Sequence, residues 1–452
     1  MTAELPPGPS TPPVVQMAHW VWRPIPFMED CARRYGDCFT VRFPFFGRPG
    51  DRPPVVFVSD PDAVREIFTG DENDLLAGEA NASLEPIVGR HSLLLLDGAH
   101  HMHERRLMMP PFHGERMQAY GDVMRNVADG VIADWPLERP FPLHPHMQRI
   151  TLEVILRTVF GLEDGARMTH LRDLLTRLLS LGRNPLALIP WFRVELGGLT
   201  PWGRIARLAR EVDAVLYDEI RRRRNIGRDG RDDVLSMLVQ ARDETGRPMT
   251  DDELRDEMIT LLVAGHETSA TTLCWVFTRI LERPDVVEQL RAELGRVVGD
   301  GPLAPRHVAQ LEYLDATIKE TLRLNPILPI VGRRLRRPMR IGGRDLPAGT
   351  VVAPCIYLTH RRPDAWPDPQ RFDPGRFVGV RTSPYAFFPF GGGVRRCLGM
   401  AFALYEMKIV VAEVLSRVQL HAAPGYRVRV VRRGITFTPS EGMPVVVDAI
   451  AA

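Results

Sequence analysis

Apolar and polar positions divide the chain into a short β-forming region, a long helical body and a mixed C-terminal part. A short helix is predicted to end near Tyr35-Gly36, followed by strand-like runs at Cys38 to Phe43 and Val55 to Val58 around a Gly/Pro-rich turn. From Asp60 to about Arg323 apolar residues recur at helical spacing, as in Met117 to Trp135, His146 to Phe160, Thr200 to Arg224 and Thr250 to Arg283. The last begins Thr-Asp-Asp-Glu at Thr250, a capping box with acids in the first turn, and stops at Pro284. At 1.5 Å per residue it would run about 50 Å, enough to cross a domain through its core. A further helix over Leu311 to Leu324 ends before Pro326. Strand-like pieces follow at Met339 to Ile341 and Thr350 to Ala353, then an irregular Pro/Arg/aromatic stretch from Arg361 to Phe390, then an apolar helical run from Met400 to Leu415. Irregular segments of that length inside a compact domain are usually functional.

Composition narrows the picture. The 452 residues are 44% hydrophobic and 25% charged, as in an ordinary globular protein. No linker, repeat or charge block separates domains, so one large domain is expected, mainly α with a small β region: about 24–58 and 326–356 plus the C-terminal strands are β, and 60–323 and 398–416 helical. With 58 basic and 56 acidic residues the net charge is +2, which gives no support to a nucleic-acid partner. Cys31, Cys38, Cys274, Cys355 and Cys397 are odd in number and lack CxxC spacing, against a disulfide framework or a zinc site and for a reducing compartment. The start has neither a basic nor an apolar leader region, and no run of about 18 apolar residues occurs. A cytoplasmic monomer without a membrane anchor is the expectation.

Four segments carry candidate chemistry. Phe390-Gly-Gly-Gly-Val-Arg-Arg-Cys397-Leu-Gly399 precedes a helix; its glycines let the backbone approach a flat ligand, and the helix turns free N–H groups and a positive dipole end towards the sulfur, both favouring a thiolate. A glycine turn with a buried structural cysteine is the plainer alternative. Midway along the long helix, Ala264-Gly265-His266-Glu267-Thr268 places a carboxylate beside a hydroxyl that can bond a backbone carbonyl and open the helix locally; a packing glycine beside a solvated acid explains it equally. Glu320 and Arg323 lie on one helix face, a commonplace pair. His101 and Arg105 likewise share a face, and with His100, His103 and His113 nearby suggest a metal cluster, against which the missing Cys or carboxylate pattern counts.

Together these residues resemble the cytochrome P-450 family. The cysteine segment matches its FxxGxRxCxG loop at Phe390, Gly393, Arg395, Cys397 and Gly399. Its AGxET motif is complete from Ala264 to Thr268, its ExxR and FxPxRF elements fall at Glu320, Arg323 and Arg376, and its HxxxR helix falls at His101 and Arg105. The resemblance implies haem b (iron protoporphyrin IX) with Cys397 as axial ligand and Phe390 packed by the sulfur. It further implies Arg395, Arg333 and the two cations His101 and Arg105 at the propionates, and a buried Glu320–Arg323–Arg376 network that assembles the site. Histidine register against His100, and that of Arg333 against Arg334, are open by one residue. Breaking an O–O bond heterolytically needs protons, so the resemblance implies that Thr268 positions them and Glu267 relays them, with His266 a packing residue. A thiolate ligand favours O–O cleavage. The implied reaction is monooxygenation of a lipophilic small molecule with O2 and NAD(P)H electrons. No flavin or iron–sulfur motif is present, so separate partners are expected, ferredoxin with ferredoxin reductase or a flavodoxin-type donor. Rival readings are a peroxygenase, which tends to lack the acid–alcohol pair, and a haem protein that binds ligands without turnover. Substrate walls are placed by resemblance at Gly78 to Ser92, Gly182 to Glu195, Leu261 and Val263, Ile327 to Val331, and Ile435 to Phe437.

Overall fold

In the computed structural model the described residues are 4–44, 50–112, 116–162, 165–182, 200–227, 231–299 and 301–451. The helices are α1 (Pro13–Trp22), α2 (Pro24–Tyr35), α3 (Pro61–Thr69), α4 (Ala77–Asn81), α5 (Glu85–Val88), α6 (Gly98–Met108), α7 (Arg116–Ile132), α8 (Leu143–Thr158), α9 (Ala166–Gly182), α10 (Pro201–Ile226), α11 (Val234–Gln240), α12 (Asp251–Leu281), α13 (Pro284–Val297), α14 (Pro305–Val308), α15 (Glu312–Leu324), α16 (Ile356–Thr359) and α17 (Met400–Arg417). Strands are short: β1 (Cys38–Arg42), β2 (Pro54–Val58), β3 (Leu75–Leu76), β4 (Phe141–Pro142), β5 (Arg333–Leu335), β6 (Met339–Ile341), β7 (Arg344–Leu346), β8 (Val351–Pro354), β9 (Val418–Ala422), β10 (Val430–Arg433), β11 (Thr436–Pro439) and β12 (Pro444–Ile450).

Helix α12 is the axis of the molecule. Its capping box forms as the sequence predicts: Thr250 Oγ1 accepts from the Glu253 N–H at 3.2 Å, and Glu253 returns a carboxylate oxygen to the Thr250 N–H at 2.7 Å. Asp251, Asp252 and Glu253 meet the positive end of the helix dipole. Over 31 residues it runs about 46 Å at 1.5 Å per residue. Its C-terminal half, Ser269 to Thr278, is continuously buried, because α8, α15, α17 and β11 pack around it. The helix expected from Pro24 to near Tyr35-Gly36 is α2, and α1 precedes it with Arg23 alone between them, Pro24 starting the new helix.

The main sheet has the order β1-β2-β8-β5-β3. Strands β1 and β2 are antiparallel, whereas β2 and β8 run parallel, Val55 beside Val351. Strands β4, β12 and β9 form a second sheet, and β6–β7 and β10–β11 are hairpins. Strand β5 of the main sheet packs against α4, and α17 packs against α12.

Candidate functional site

The segment before α17 is bent by close contact. Gly393 has φ +64°, and a Cβ there would stand 2.2 Å from the Phe68 carbonyl oxygen; one on Gly392 would stand 2.2 Å from the Phe68 ring. Glycine is therefore required for the loop to press on α3. The Cys397 N–H closes the turn on the Phe390 carbonyl at 3.0 Å, and the Gly399 carbonyl accepts from Ala403 at 2.8 Å as α17 begins. Cys397 is open to solvent-sized contact. Yet burial holds its thiol above the ordinary range, against the pull of the Gly399 N–H, Arg105 and Arg396. Both hold at once for a sulfur facing an internal recess. The local preference for thiolate expected from loop and dipole is thus outweighed by desolvation, and a coordinating metal ion is what would remove the proton.

Cations line the same recess. On α6, His101 is 1% exposed and His100 is exposed, so the inward register belongs to His101. On β5, Arg333 is buried, while Arg334 turns out to Asp51. Burial, then Arg395, Arg105 and Arg333, push the His101 imidazole down to about 3. Its Nδ1 is buried without a partner. Burial and Arg395 lower Arg333 to about 10. Among the described residues neither Arg105 nor Arg333 has an ion-pair partner. Arg395 has one: it donates to Asp97 at 2.5 Å, to the Leu93 carbonyl at 3.0 Å and to the Leu96 carbonyl. Asp97 also receives the Gly78 and Glu79 N–H groups at 2.8 and 3.1 Å, so one carboxylate joins α4, α6 and the cysteine loop. Two cations without ion-pair partners, Arg333 buried and Arg105 half-buried, near an accessible sulfur fit a flat group with anionic side arms, as the expected haem is.

The second wall expected from the sequence is the middle of α12. Ala264 is exposed and Val263, Gly265, Glu267 and Thr268 are half-buried, between stretches that are fully buried. The helix runs unbroken through Gly265, whose Cβ would stand 3.1 Å from Ile155 Cδ1 on α8, so this glycine serves packing and does not open the helix. Thr268 Oγ1 donates to the Ala264 carbonyl at 2.5 Å. Glu267 takes the Gln148 side-chain amide at 2.5 Å and has His144 Nε2 at 3.4 Å. Burial raises its carboxyl pKa, but His144, His266 and Gln148 bring the net value below the ordinary range. His266 is buried and bonds Thr151 at 2.9 Å, a packing role as expected. Beside this wall, burial pushes Glu406 on α17 up to about 8, although Ser269 pulls it back.

Glu320 and Arg323 are 0% exposed and paired twice, at 2.7 and 2.8 Å. Arg323 also donates to the carbonyls of His360, Pro369 and Arg371, so all five of its N–H groups are used. Glu320 accepts the Asp373 N–H at 2.9 Å and lies 3.6 Å from Arg376. His360 Nε2 accepts the Phe388 N–H at 2.9 Å, which ties this network to the cysteine loop.

The structure thus brings the loop of Phe390, Gly393, Arg395, Cys397 and Gly399 together with His101, Arg105 and Arg333, and seats Glu320, Arg323 and Arg376 as a set, while Ala264 to Thr268 lie on α12, which packs against α17. Sequence reasoning missed Asp97, His144, Gln148, Glu406 and His360. Only Glu406 left a signal, a lone acid in the apolar run of α17. Among the substrate walls, Phe437 is buried in a core and carries Trp275 Nε1 on its carbonyl at 2.9 Å, while Ile435 is 43% exposed. His113 and 183–195 lie outside the described residues. No described helix is long and apolar enough to cross a membrane.

A family model described as cytochrome P450 matches residues 6–444. The putative cytochrome P450 135B1 of Mycobacterium tuberculosis is 41% identical over 98% of this chain and 92% of its own length. The putative cytochrome P450 135A1 of the same organism is 36% identical over 98% and 95%. A solved cyanobacterial CYP120A1 with retinoic acid bound has a TM-score of 0.85 at 24% identity, covering 99% of this chain and all of that one. The cytochrome P450DA haem domain gives the same score and identity, covering 98% and 97%. A family that binds haem b through a cysteine thiolate accounts for both the fold and the recess. The chain belongs to the cytochrome P450 family and is a haem-thiolate monooxygenase.

Proposed function

We propose that Cys397 is the axial ligand, that His101, Arg105, Arg333 and Arg395 hold the propionates, and that Phe390, Gly393 and Gly399 shape the loop against the ring. Ala264 lies across the opposite face. Bound haem supplies the activation of O2 and the transfer of one oxygen atom to substrate. Around it, Thr268 holds a proton-bearing hydroxyl at the recess, Glu267 relays protons to it, and Glu320, Arg323 and Arg376 keep the loop assembled. Leu261, Val263 and the segment from Ile327 to Val331 offer an apolar lining, which suits a lipophilic small molecule hydroxylated or epoxidised at a C–H or C=C bond. Electrons come from NAD(P)H through separate proteins, ferredoxin with its reductase or a flavodoxin-type donor.

The observation that carries this reading is the accessible but desolvated Cys397 thiol among cations that lack counter-ions. The test is the reduced carbon monoxide adduct, whose Soret band thiolate ligation shifts to the red. Wild-type protein is expected to show the shifted band and Cys397→Ser to lose it; a persistent shifted band in the variant would place the ligand elsewhere. A panel of lipophilic compounds, read by the Soret change on binding and by turnover with surrogate ferredoxin and reductase, then defines the substrate class.

A further inference from the structure

His144 is 0% exposed, and nothing in the reaction as proposed uses it. It sits on α8 where three elements meet. Arg433 Nη1, at the end of β10, is 3.1 Å from its Nδ1. On the other side of the ring, Nε2 has Thr271 Oγ1 at 3.3 Å and Glu267 Oε1 at 3.4 Å, both from α12. A guanidinium can only donate, so Nδ1 must accept and the ring proton sits on Nε2. That proton points between the Thr271 hydroxyl and the Glu267 carboxylate. Glu267 Oε1 is buried and makes no aligned hydrogen bond, so His144 is the donor within its reach. The second oxygen is taken by Gln148, four residues further along α8 and so on the same face.

We infer that His144 is a positioning residue for Glu267, locked by Arg433 in the tautomer that aims an N–H at the carboxylate. This rests on the reading of Glu267 as the proton relay. His144 and Gln148 flank the carboxylate from α8, Gln148 bonded to one oxygen and His144 3.4 Å from the other, one residue from Thr268. Arg433 is not a proton conduit in this arrangement, because a guanidinium does not give up its proton in a protein. It acts as a fixed positive end, with the imidazole between it and the acid. The other ionisable groups near this pair, His266 and Cys274, come from α12.

The test has a spectroscopic arm and a turnover arm, both on the haem-loaded protein. In nitrogen-15 histidine spectra of the reduced carbon monoxide complex, the signal lost in His144→Gln is expected to carry its proton on Nε2. Arg433→Leu should shift it towards a mixture of tautomers. An Nδ1–H form in the wild type would overturn the inference. In turnover, His144→Leu is expected to reduce product per NAD(P)H about tenfold, in the range typical for loss of a residue that orients a reactive one, with peroxide taking up the electrons. His144→Gln, which keeps a donor at the Nε2 position, should recover most of the coupling. Glu267→Gln is the reference. If it leaves coupling intact, the relay reading itself fails. If it uncouples and His144→Leu, with a normal carbon monoxide band, does not, the His144 inference alone fails.

Discussion

The Glu320–Arg323 pair behind the Cys397 wall and the Glu267–Thr268 pair on the Ala264 wall differ in how completely their polar groups are used. Behind the cysteine, Arg323 spends every N–H on a carboxylate or carbonyl, Glu320 is met from three sides, and His360 hands the network on to Phe388. Across the recess, Glu267 keeps a buried oxygen without an aligned bond, Thr268 turns its hydroxyl back on its own helix, and Ala264 faces open space. Fully satisfied polar networks rigidify, and incompletely satisfied ones keep groups in reserve. One wall assembles the site and the other is left able to respond. Variants on the two walls should therefore fail in different ways.

The largest effect is expected on the saturated Glu320–Arg323 pair. Glu320→Ala strands the Arg323 guanidinium in the interior at a cost of about 3–5 kcal/mol. Little haem-loaded protein should be recovered, as read from the haem-to-protein ratio and the melting temperature. Normal loading would mean that the pair does not hold the loop. On the open wall Thr268→Ala should leave haem content and substrate binding unchanged. Product per NAD(P)H should fall and peroxide should rise, with the change in coupling larger than that in total electron consumption. Unchanged coupling would remove Thr268 from the proton path and leave the cysteine assignment standing. The smallest effect concerns Glu406. Its folded pKa of about 8 lies above the 4.5 of a free carboxyl, so the folded state keeps a proton that the unfolded chain has released. Its contribution to stability is full below about 4.5 and declines as pH rises towards and through 8. Glu406→Gln should flatten the melting temperature against pH across that interval, and an unchanged slope would assign the titration to another group.

The Cys397 wall was the more legible of the two. Phe390 to Gly399 is contiguous, and its glycines and cysteine can be read in order; Glu320, Arg323 and Arg376 follow from short spacings. Thr250 announced α12 because capping is a local event. His144 and Asp97 were illegible for the opposite reason. Each acquires its place only when α8, β10 and α12, or α4, α6 and the cysteine loop, converge, and neither stands in a revealing sequence neighbourhood. The cationic surroundings of His101 were hidden in the same way, since its three guanidinium neighbours come from α6, β5 and the cysteine loop. Strands of two or three residues such as β3 and β5 are too short for a period-two pattern.

The parallel pairing of β2 with β8 also sets an order of events during synthesis. Val55 cannot find Val351 until most of the chain has left the ribosome, so the N-terminal strand pair waits with one edge unmatched while the helices between them collect around α12. The contact of Gly393 with the Phe68 carbonyl spans a still longer stretch of chain. The seat beneath the sulfur is consequently among the last surfaces to close, and cofactor capture is an event of the finished polypeptide.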